Sequence, residues 1–173
     1  MKKLNFKKKM KVIEPSRAEN GTIQFSDYSD FTPNQTPAEM LSLGVFGGSY
    51  FRPIKSAVTN KKHFDEHLEL PTEWLKELDL DVKVCSPIYR PSVNKFGVKC
   101  GSDLEAWEEK GWIKEQDPYG WFQWYCRFYQ GRRTSDDRRQ IDRWKGLTGP
   151  KGRFRNRLIK MCDSKEKAFN DAS

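Results

Sequence analysis

The feature that most constrains this sequence is a run of aromatic residues at positions 119–129, YGWFQWYCRFY. Residues that recur at i, i+3, i+4 and i+7 share one face of an α-helix. The residues with that spacing here are Trp121, Trp124, Tyr125 and Phe128. Asp117 is a favourable N-cap and Pro118 suits the first helical position, whereas Gly131 is a favourable stop. The sequence therefore predicts a helix over 118–130 that supplies the core, with Gln123, Arg127 and Gln130 as its polar stripe.

Aromatic side chains have to build this core because aliphatic residues are scarce. Leu, Ile, Val and Phe together make up about a fifth of the 173 residues, close to the level of roughly 20% at which a chain fails to bury a core. Aromatic residues make up 13% and include six Trp. Because each ring buries a large area, we expect a folded chain.

The remaining patterns predict a mainly α-helical domain over 36–162 with a minor β-hairpin. Thr36 and Glu39 form a capping box, and Gly44 ends that first helix. Further helices are predicted over 61–70, 72–78, 102–110, 135–145 and 153–162. The alternation of Val82, Val84, Phe96, Val98 and Cys100 places the hairpin within 82–100. The pair Gly47-Gly48 indicates a turn or a close backbone approach.

The two ends of the chain lack sustained periodicity. Residues 1–35 are predicted to form a basic, mostly extended or disordered arm, and residues 163–173 a frayed tail. Phe25, Tyr28 and Phe31 are spaced three apart and could pin the arm onto the domain.

Charge is distributed unevenly along the chain. The net charge of +8 combines six lysines in residues 1–12, a net −6 over 13–118 and a net +8 over 119–173. Nine of the twelve arginines lie between Arg127 and Arg157. A basic, arginine-rich C-terminal third favours a polyanionic partner.

Nucleic acid is the predicted partner, with DNA expected rather than RNA. The guanidinium fork matches phosphate oxygens, and the C-terminal half is expected to resemble a helix–turn–helix, a motif that places one helix against a groove. The predicted contact residues are Arg127, Arg132, Arg133, Arg138, Arg139, Arg143, Lys151, Arg153, Arg155, Arg157 and Lys160. One alternative is a basic face paired internally with the acidic middle of the chain. Another is a structural or assembly protein, in a virion for example, that binds neighbouring protein subunits through residues 1–35.

A metal-dependent hydrolase or nuclease is the third class that the sequence leaves open. His63, Glu66 and His67 fit the H-x-x-E-H pattern, in which two histidines one helical turn apart bind zinc. Asp136 and Asp137 could hold a metal at a phosphodiester, although a helix start accounts for both acids. We assign no catalytic residue, metal or cofactor from these short patterns.

Several classes of protein are not expected from this sequence. No apolar run approaches the length needed to cross a bilayer, and no apolar segment follows the basic N-terminus as in a secretory signal. The four cysteines are widely spaced, which favours reduced thiols. These features predict an intracellular protein of the nucleus, cytoplasm or virion that is not secreted and has no membrane partner.

Two long strings carry a resemblance to a known family. They are DPYGWFQWYCRFYQGRRTSDDRRQIDRW over 117–144 and TPAEMLSLGVFGGSYFR over 36–52. The first matches the pattern DPYGWFQWYCRFYxGRRxxDDxRQIxRW and resembles a family of uncharacterised proteins of fungi, algae and large DNA viruses, over roughly residues 30–160. The resemblance implies an intracellular or virus-associated setting and transfers no catalytic residue.

Overall fold

The chain is mainly helical with a minor amount of β structure, as predicted. The computed structural model describes residues 15–97, 99 and 103–171, with side chains up to Ser164. The chain divides into two compact units. The first ends at Arg132 and the second begins at Arg133. This boundary differs from the single domain predicted over 36–162.

The first unit contains five short helices and two small hairpins among its described residues. The helices are α1 (Pro37–Ser42), α2 (Thr72–Leu75), α3 (Leu80–Lys83), α4 (Leu104–Glu109) and α5 (Trp121–Tyr129). The antiparallel hairpins pair β1 (Ser16–Arg17) with β2 (Ile23–Gln24) and β3 (Ile54–Ser56) with β4 (Lys61–His63). Two 3-10 helices span Glu66–Glu69 and Pro91–Val93.

The hairpins lie outside the region 82–100 where one was predicted. The Asp79 carboxylate accepts hydrogen bonds from the backbone N–H groups of Asp81 and Val82, which starts α3 where a strand was expected. Val98 and Cys100, the last residues of the predicted alternation, lie outside the described residues. The helix predicted over 61–70 is observed only as one 3-10 turn over Glu66–Glu69, because β4 occupies its first residues and a left-handed Asp65 separates the two elements.

The predicted start of α1 is confirmed. Thr36 Oγ1 accepts from Glu39 N (3.1 Å), and the Glu39 carboxylate accepts from Thr36 N (2.8 Å). Arg17 donates to both oxygens of the same carboxylate, at 2.6 and 2.8 Å, which ties β1 to α1. Burial raises the pKa of Glu39, but these hydrogen bonds and the Arg17 charge hold it below its ordinary value.

Residues 15–35 belong to the core of the first unit. Phe25 and Phe31 are buried, and their ring centroids lie 4.9 and 5.6 Å from that of Phe128 on α5. The expected pinning of these residues onto the body is therefore observed, and this part of the predicted arm is folded. Residues 1–14, with the lysine run, lie outside the described residues.

Helix α5 carries the predicted aromatic core, but it begins three residues later than predicted. Trp124, Tyr125 and Phe128 are fully buried. Gly120 occupies the N-cap position with φ of 88°, and Asp117 lies in the turn before it. The predicted polar stripe is partly buried, since Gln123 is fully buried and Arg127 and Gln130 are half-buried. Gln123 Oε1 accepts from Tyr119 N at 3.1 Å.

The second unit consists of α6 (Asp137–Thr148) and α7 (Arg153–Asp171). Helix α7 continues well past residue 162, where the sequence predicted its end. The connector between the helices is tight, because a Cβ at Gly152 would lie 2.5 Å from the carbonyl oxygen of Leu147. Within the described part of the chain, no helix has the length and apolar character that crossing a bilayer requires.

Candidate functional site

Two of the predicted phosphate-binding arginines lie in an acidic cluster of the first unit. We call Arg127, Arg132, Asp117, Glu66 and Glu69 the Arg127 cluster. Arg127 Nη2 lies 2.6 Å from Glu69 Oε2, and its Nη1 lies 2.9 Å from Asp117 Oδ1. The second oxygen of Asp117 binds Arg132 Nη2 at 2.7 Å. Asp117 has 1% of its side chain exposed, so this carboxylate is held entirely by protein groups.

The Arg127 cluster contains more negative than positive charge. Burial lowers the pKa of the Arg127 guanidinium, but Glu69 and Asp117 raise it above its ordinary value. Three carboxylates therefore surround two guanidinium groups, and a phosphate would have to displace them while meeting their repulsion. We accordingly place Arg127 and Arg132 outside the candidate interface.

Two of the three arginines of α6 form ion pairs with acids of the same helix or of its N-cap. Arg139 Nη2 lies 2.8 Å from Asp136 Oδ2, and Arg138 Nη1 lies 3.5 Å from Asp142 Oδ1. Each pair joins residues one helical turn apart. Arg133 and Arg143 are half-buried in the same unit. The predicted basic face of α6 is therefore largely matched by its own acids.

Helix α7 and the connector before it contain five exposed arginines and lysines of the predicted set. These are Lys151, Arg153, Arg155, Arg157 and Lys160. No carboxylate lies within salt-bridge distance of these five among the described residues. Three of them recur at i, i+4 and i+7, and we call Arg153, Arg157 and Lys160 the α7 basic stripe. An exposed apolar stripe of Phe154, Leu158 and Met161 runs beside it.

The histidine motif does not form the helix that a zinc site of its type requires. His63 ends β4, whereas His67 lies in the 3-10 helix. Among the described residues, no three His, Cys, Asp or Glu side chains are arranged to hold a metal ion.

His63 instead joins a hydroxyl to a carboxylate. Its Nε2 lies 2.7 Å from Thr59 Oγ1, and its Nδ1 lies 3.0 Å from Glu66 Oε1. This order of groups is that of a nucleophile triad. However, the neighbouring backbone amides of Ala57 and Val58, which could otherwise hold an oxyanion, donate to Glu108 Oε1. The arrangement therefore closes the turn between β3 and β4.

His67 contacts a cysteine that is poorly suited to nucleophilic attack. Cys85 Sγ lies 3.2 Å from His67 Nδ1. Burial, with smaller contributions from the charges of Asp81 and Asp65, raises the pKa of Cys85 to about 11. The thiol is therefore protonated near neutral pH, whereas nucleophilic attack needs the thiolate.

Asp136 and Asp137 form hydrogen bonds and an ion pair at the start of α6. The fully buried Asp137 carboxylate accepts from Thr134 N at 2.8 Å and from Thr134 Oγ1 at 2.9 Å. Asp136 forms the ion pair with Arg139 described above. Both acids therefore bind groups at the start of α6. This structural role is the alternative to a nuclease site that the sequence left open.

A cavity in the first unit was missed by the sequence-based predictions. Its volume is about 220 Å³. It is lined by Phe46, Ser49, Tyr50, Arg52, Ile54, Pro87, Tyr89, Lys99, Asp103, Leu104, Trp107 and Tyr119. The one signal that pointed to this region was the Gly47-Gly48 pair, which lies between the lining residues Phe46 and Ser49.

Comparison with protein-family models, with curated proteins and with solved structures gave no match to this chain.

Proposed function

We propose that the protein binds nucleic acid through the α7 basic stripe. The observation that carries this proposal is the exposure of three cations on one helix face, with no carboxylate of the described side chains within salt-bridge distance of them. The proposal is narrower than the sequence-based prediction, because Arg127 and Arg132 are bound within the Arg127 cluster. DNA rather than RNA, and an intracellular or virus-associated setting, stay predictions.

The spacing of the stripe suits a polyphosphate backbone. A helix rises about 1.5 Å per residue, so Arg153 and Lys160 are roughly 10 Å apart along the axis of α7. One strand of B-DNA carries a phosphate about every 3.4 Å along the duplex axis, so this length matches about three phosphates. Three cations therefore face a comparable number of negative charges.

Salt-dependent binding to a 20-base-pair duplex tests the proposal. Each phosphate contact contributes about 0.9 to the slope of log K against log salt concentration. Replacing the stripe (R153Q/R157Q/K160Q) should therefore lower that slope by roughly 2–3, as measured by fluorescence anisotropy between 50 and 200 mM salt.

A matched control variant distinguishes the effect of where the charges lie from the effect of how many charges are removed. Lys55, Lys61 and Lys62 on the β3–β4 hairpin are also exposed, and K55Q/K61Q/K62Q removes the same charge. This variant should keep most of the slope. An equal loss in both variants, or a loss in the hairpin variant alone, would contradict binding by α7.

The assembly alternative has less support from the structure. It assigned contacts with neighbouring subunits to residues 1–35, but Phe25 and Phe31 are packed against α5 of their own chain. These two rings are not available to a neighbouring subunit while the first unit is folded. We therefore favour the nucleic-acid proposal.

A further inference from the structure

The cavity of the first unit has an aromatic interior and a charged rim. Tyr50, Tyr119 and Leu104 are buried in its lining, whereas Lys99 and Asp103 are exposed. The Tyr50 hydroxyl donates to the carbonyl oxygen of Tyr119 at 2.6 Å and accepts from Phe122 N at 3.0 Å. Because this hydroxyl is already satisfied, the buried part of the cavity offers ring surfaces to a ligand.

The Gly47-Gly48 pair shapes one wall of the cavity. Gly47 has φ of 59°, and a Cβ there would lie 2.7 Å from the ring of Tyr89. The Tyr89 ring is therefore seated directly on the backbone of Gly47. A backbone hydrogen bond fixes Gly47 next to the segment that carries Tyr89, since Arg90 N donates to the carbonyl oxygen of Gly47 at 3.0 Å.

Arg52 supplies a positive charge to the half-buried wall. Its Nη1 donates to the carbonyl oxygen of Ser49 at 3.1 Å, and the described residues place no carboxylate within salt-bridge distance of it. Its backbone is held by the Tyr119 hydroxyl, which donates to the Arg52 carbonyl oxygen at 2.8 Å. A positioned guanidinium of this kind matches phosphate or carboxylate oxygens. Lys99 adds a second cation at the rim.

Asp103 supplies an acceptor on the same rim. Its Oδ1 caps α4 by accepting from Ala106 N at 3.0 Å, which fixes the carboxylate. A carboxylate next to aromatic rings can accept from an exocyclic amino group, as Asp and Glu do from cytosine N4. The lining thus combines stacking surfaces, two cations and one acceptor.

We propose that this cavity binds a free pyrimidine nucleoside monophosphate, with cytidine monophosphate preferred. The base stacks on the aromatic lining, the phosphate lies at Arg52 and Lys99, and the amino group donates to Asp103. The volume of about 220 Å³ is below the roughly 300–1,000 Å³ of most ligand pockets, which favours a small ligand such as one nucleotide over an oligonucleotide. The preference for cytosine rests on the Asp103 acceptor. This site lies in the first unit and does not depend on α7, so it goes beyond the proposed function.

Isothermal titration calorimetry with defined probes tests the proposal. Cytidine monophosphate should bind, and uridine monophosphate, cytidine and ribose 5-phosphate should each bind at least several-fold more weakly, because each lacks one recognised group. R52Q should weaken cytidine monophosphate at least tenfold and leave cytidine unchanged. K99Q, a change at an exposed side chain, should weaken the same ligand to a smaller degree.

A matched arginine provides the control. Arg90 is exposed and donates to Ser86 Oγ at 3.2 Å, and it does not line the cavity. R90Q removes the same charge, keeps the backbone hydrogen bond from Arg90 N to Gly47 O, and should therefore leave binding unchanged. No binding of cytidine monophosphate at millimolar concentration would overturn the proposal, as would equal binding of ribose 5-phosphate. Equal or tighter binding of adenosine monophosphate would overturn the pyrimidine assignment. Tighter binding of tetracytidylate than of cytidine monophosphate by the R153Q/R157Q/K160Q variant, in which the α7 basic stripe cannot contribute, would overturn the assignment to a free nucleotide.

Discussion

The substitution D117N tests whether the Arg127 cluster stabilises the first unit. Asp117 is buried and binds two guanidinium groups, at 2.9 and 2.7 Å. A hydrogen bond to a charged group contributes about 1.5–3 kcal/mol, so losing the charge at two such bonds should cost about 3 kcal/mol. That value agrees with the roughly 3–5 kcal/mol lost when one partner of a buried ion pair is removed. At about 2–4 °C per kcal/mol for a chain of this length, Tm should fall by roughly 6–12 °C.

Urea unfolding measures this effect. We would follow tryptophan fluorescence and far-UV circular dichroism at pH 7 and compare midpoints at constant m. D142N provides a matched control, because Asp142 forms an exposed pair with Arg138 and should cost less than about 0.5 kcal/mol. In the double mutant D117N/R132Q, the combined cost should be at least about 1 kcal/mol smaller than the sum of the single costs. If D117N unfolds within about 0.5 kcal/mol of D142N, the assignment of a stabilising role to the cluster is refuted.

Three further predictions concern the rest of the molecule. F31A should lower the free energy of unfolding by about 3–5 kcal/mol because Phe31 is fully buried; a loss below about 1 kcal/mol in urea titrations would mean that residues 15–35 are not part of the core. G48A should destabilise the chain more than G21A does in thermal melts, since both glycines have φ near 80° but a Cβ at Gly48 would lie 1.8 Å from Val82 O; equal melting temperatures would contradict this. The rate at which iodoacetamide labels Cys85, followed by mass spectrometry, should keep rising as the pH approaches 11, because a raised pKa means that the reactive thiolate forms only at high pH. A labelling rate that is already constant above pH 9 would contradict the buried environment.

Local features could be predicted because the interacting groups are close in the sequence. Thr36 and Glu39 are three residues apart, so their capping box needs no tertiary contact. The Gly47-Gly48 pair was expected to mark a turn or a close backbone approach, and φ values of 59° and 81° with close neighbours confirm this. The hairpin predicted over 82–100 failed because Asp79, outside the apolar alternation, caps a helix there.

The candidate sites depended on contacts between distant residues. Arg127 and Arg132 belong to the basic C-terminal third by sequence. Pairing with the acidic middle of the chain was one alternative, but nothing local identified Glu69 and Asp117 as the partners. Glu69 lies 58 positions before Arg127. The lining of the cavity likewise comes from three separate segments, between Phe46 and Ile54, between Pro87 and Trp107, and at Tyr119. Sequence spacing gives no information about such convergence.

The sequence by itself determined that an aromatic helix forms the core, because helical spacing puts Trp124, Tyr125 and Phe128 on one face and scarce aliphatic residues leave few other ways to bury area. Only the tertiary structure decided what the opposite face of that helix does. Gln123 and Arg127 were predicted to lie on the polar stripe of the helix, and the segment with Glu66 and Glu69 covers them and binds their polar groups. A buried polar group must be matched by a partner, and that partner is chosen by how the chain packs, which periodicity does not encode.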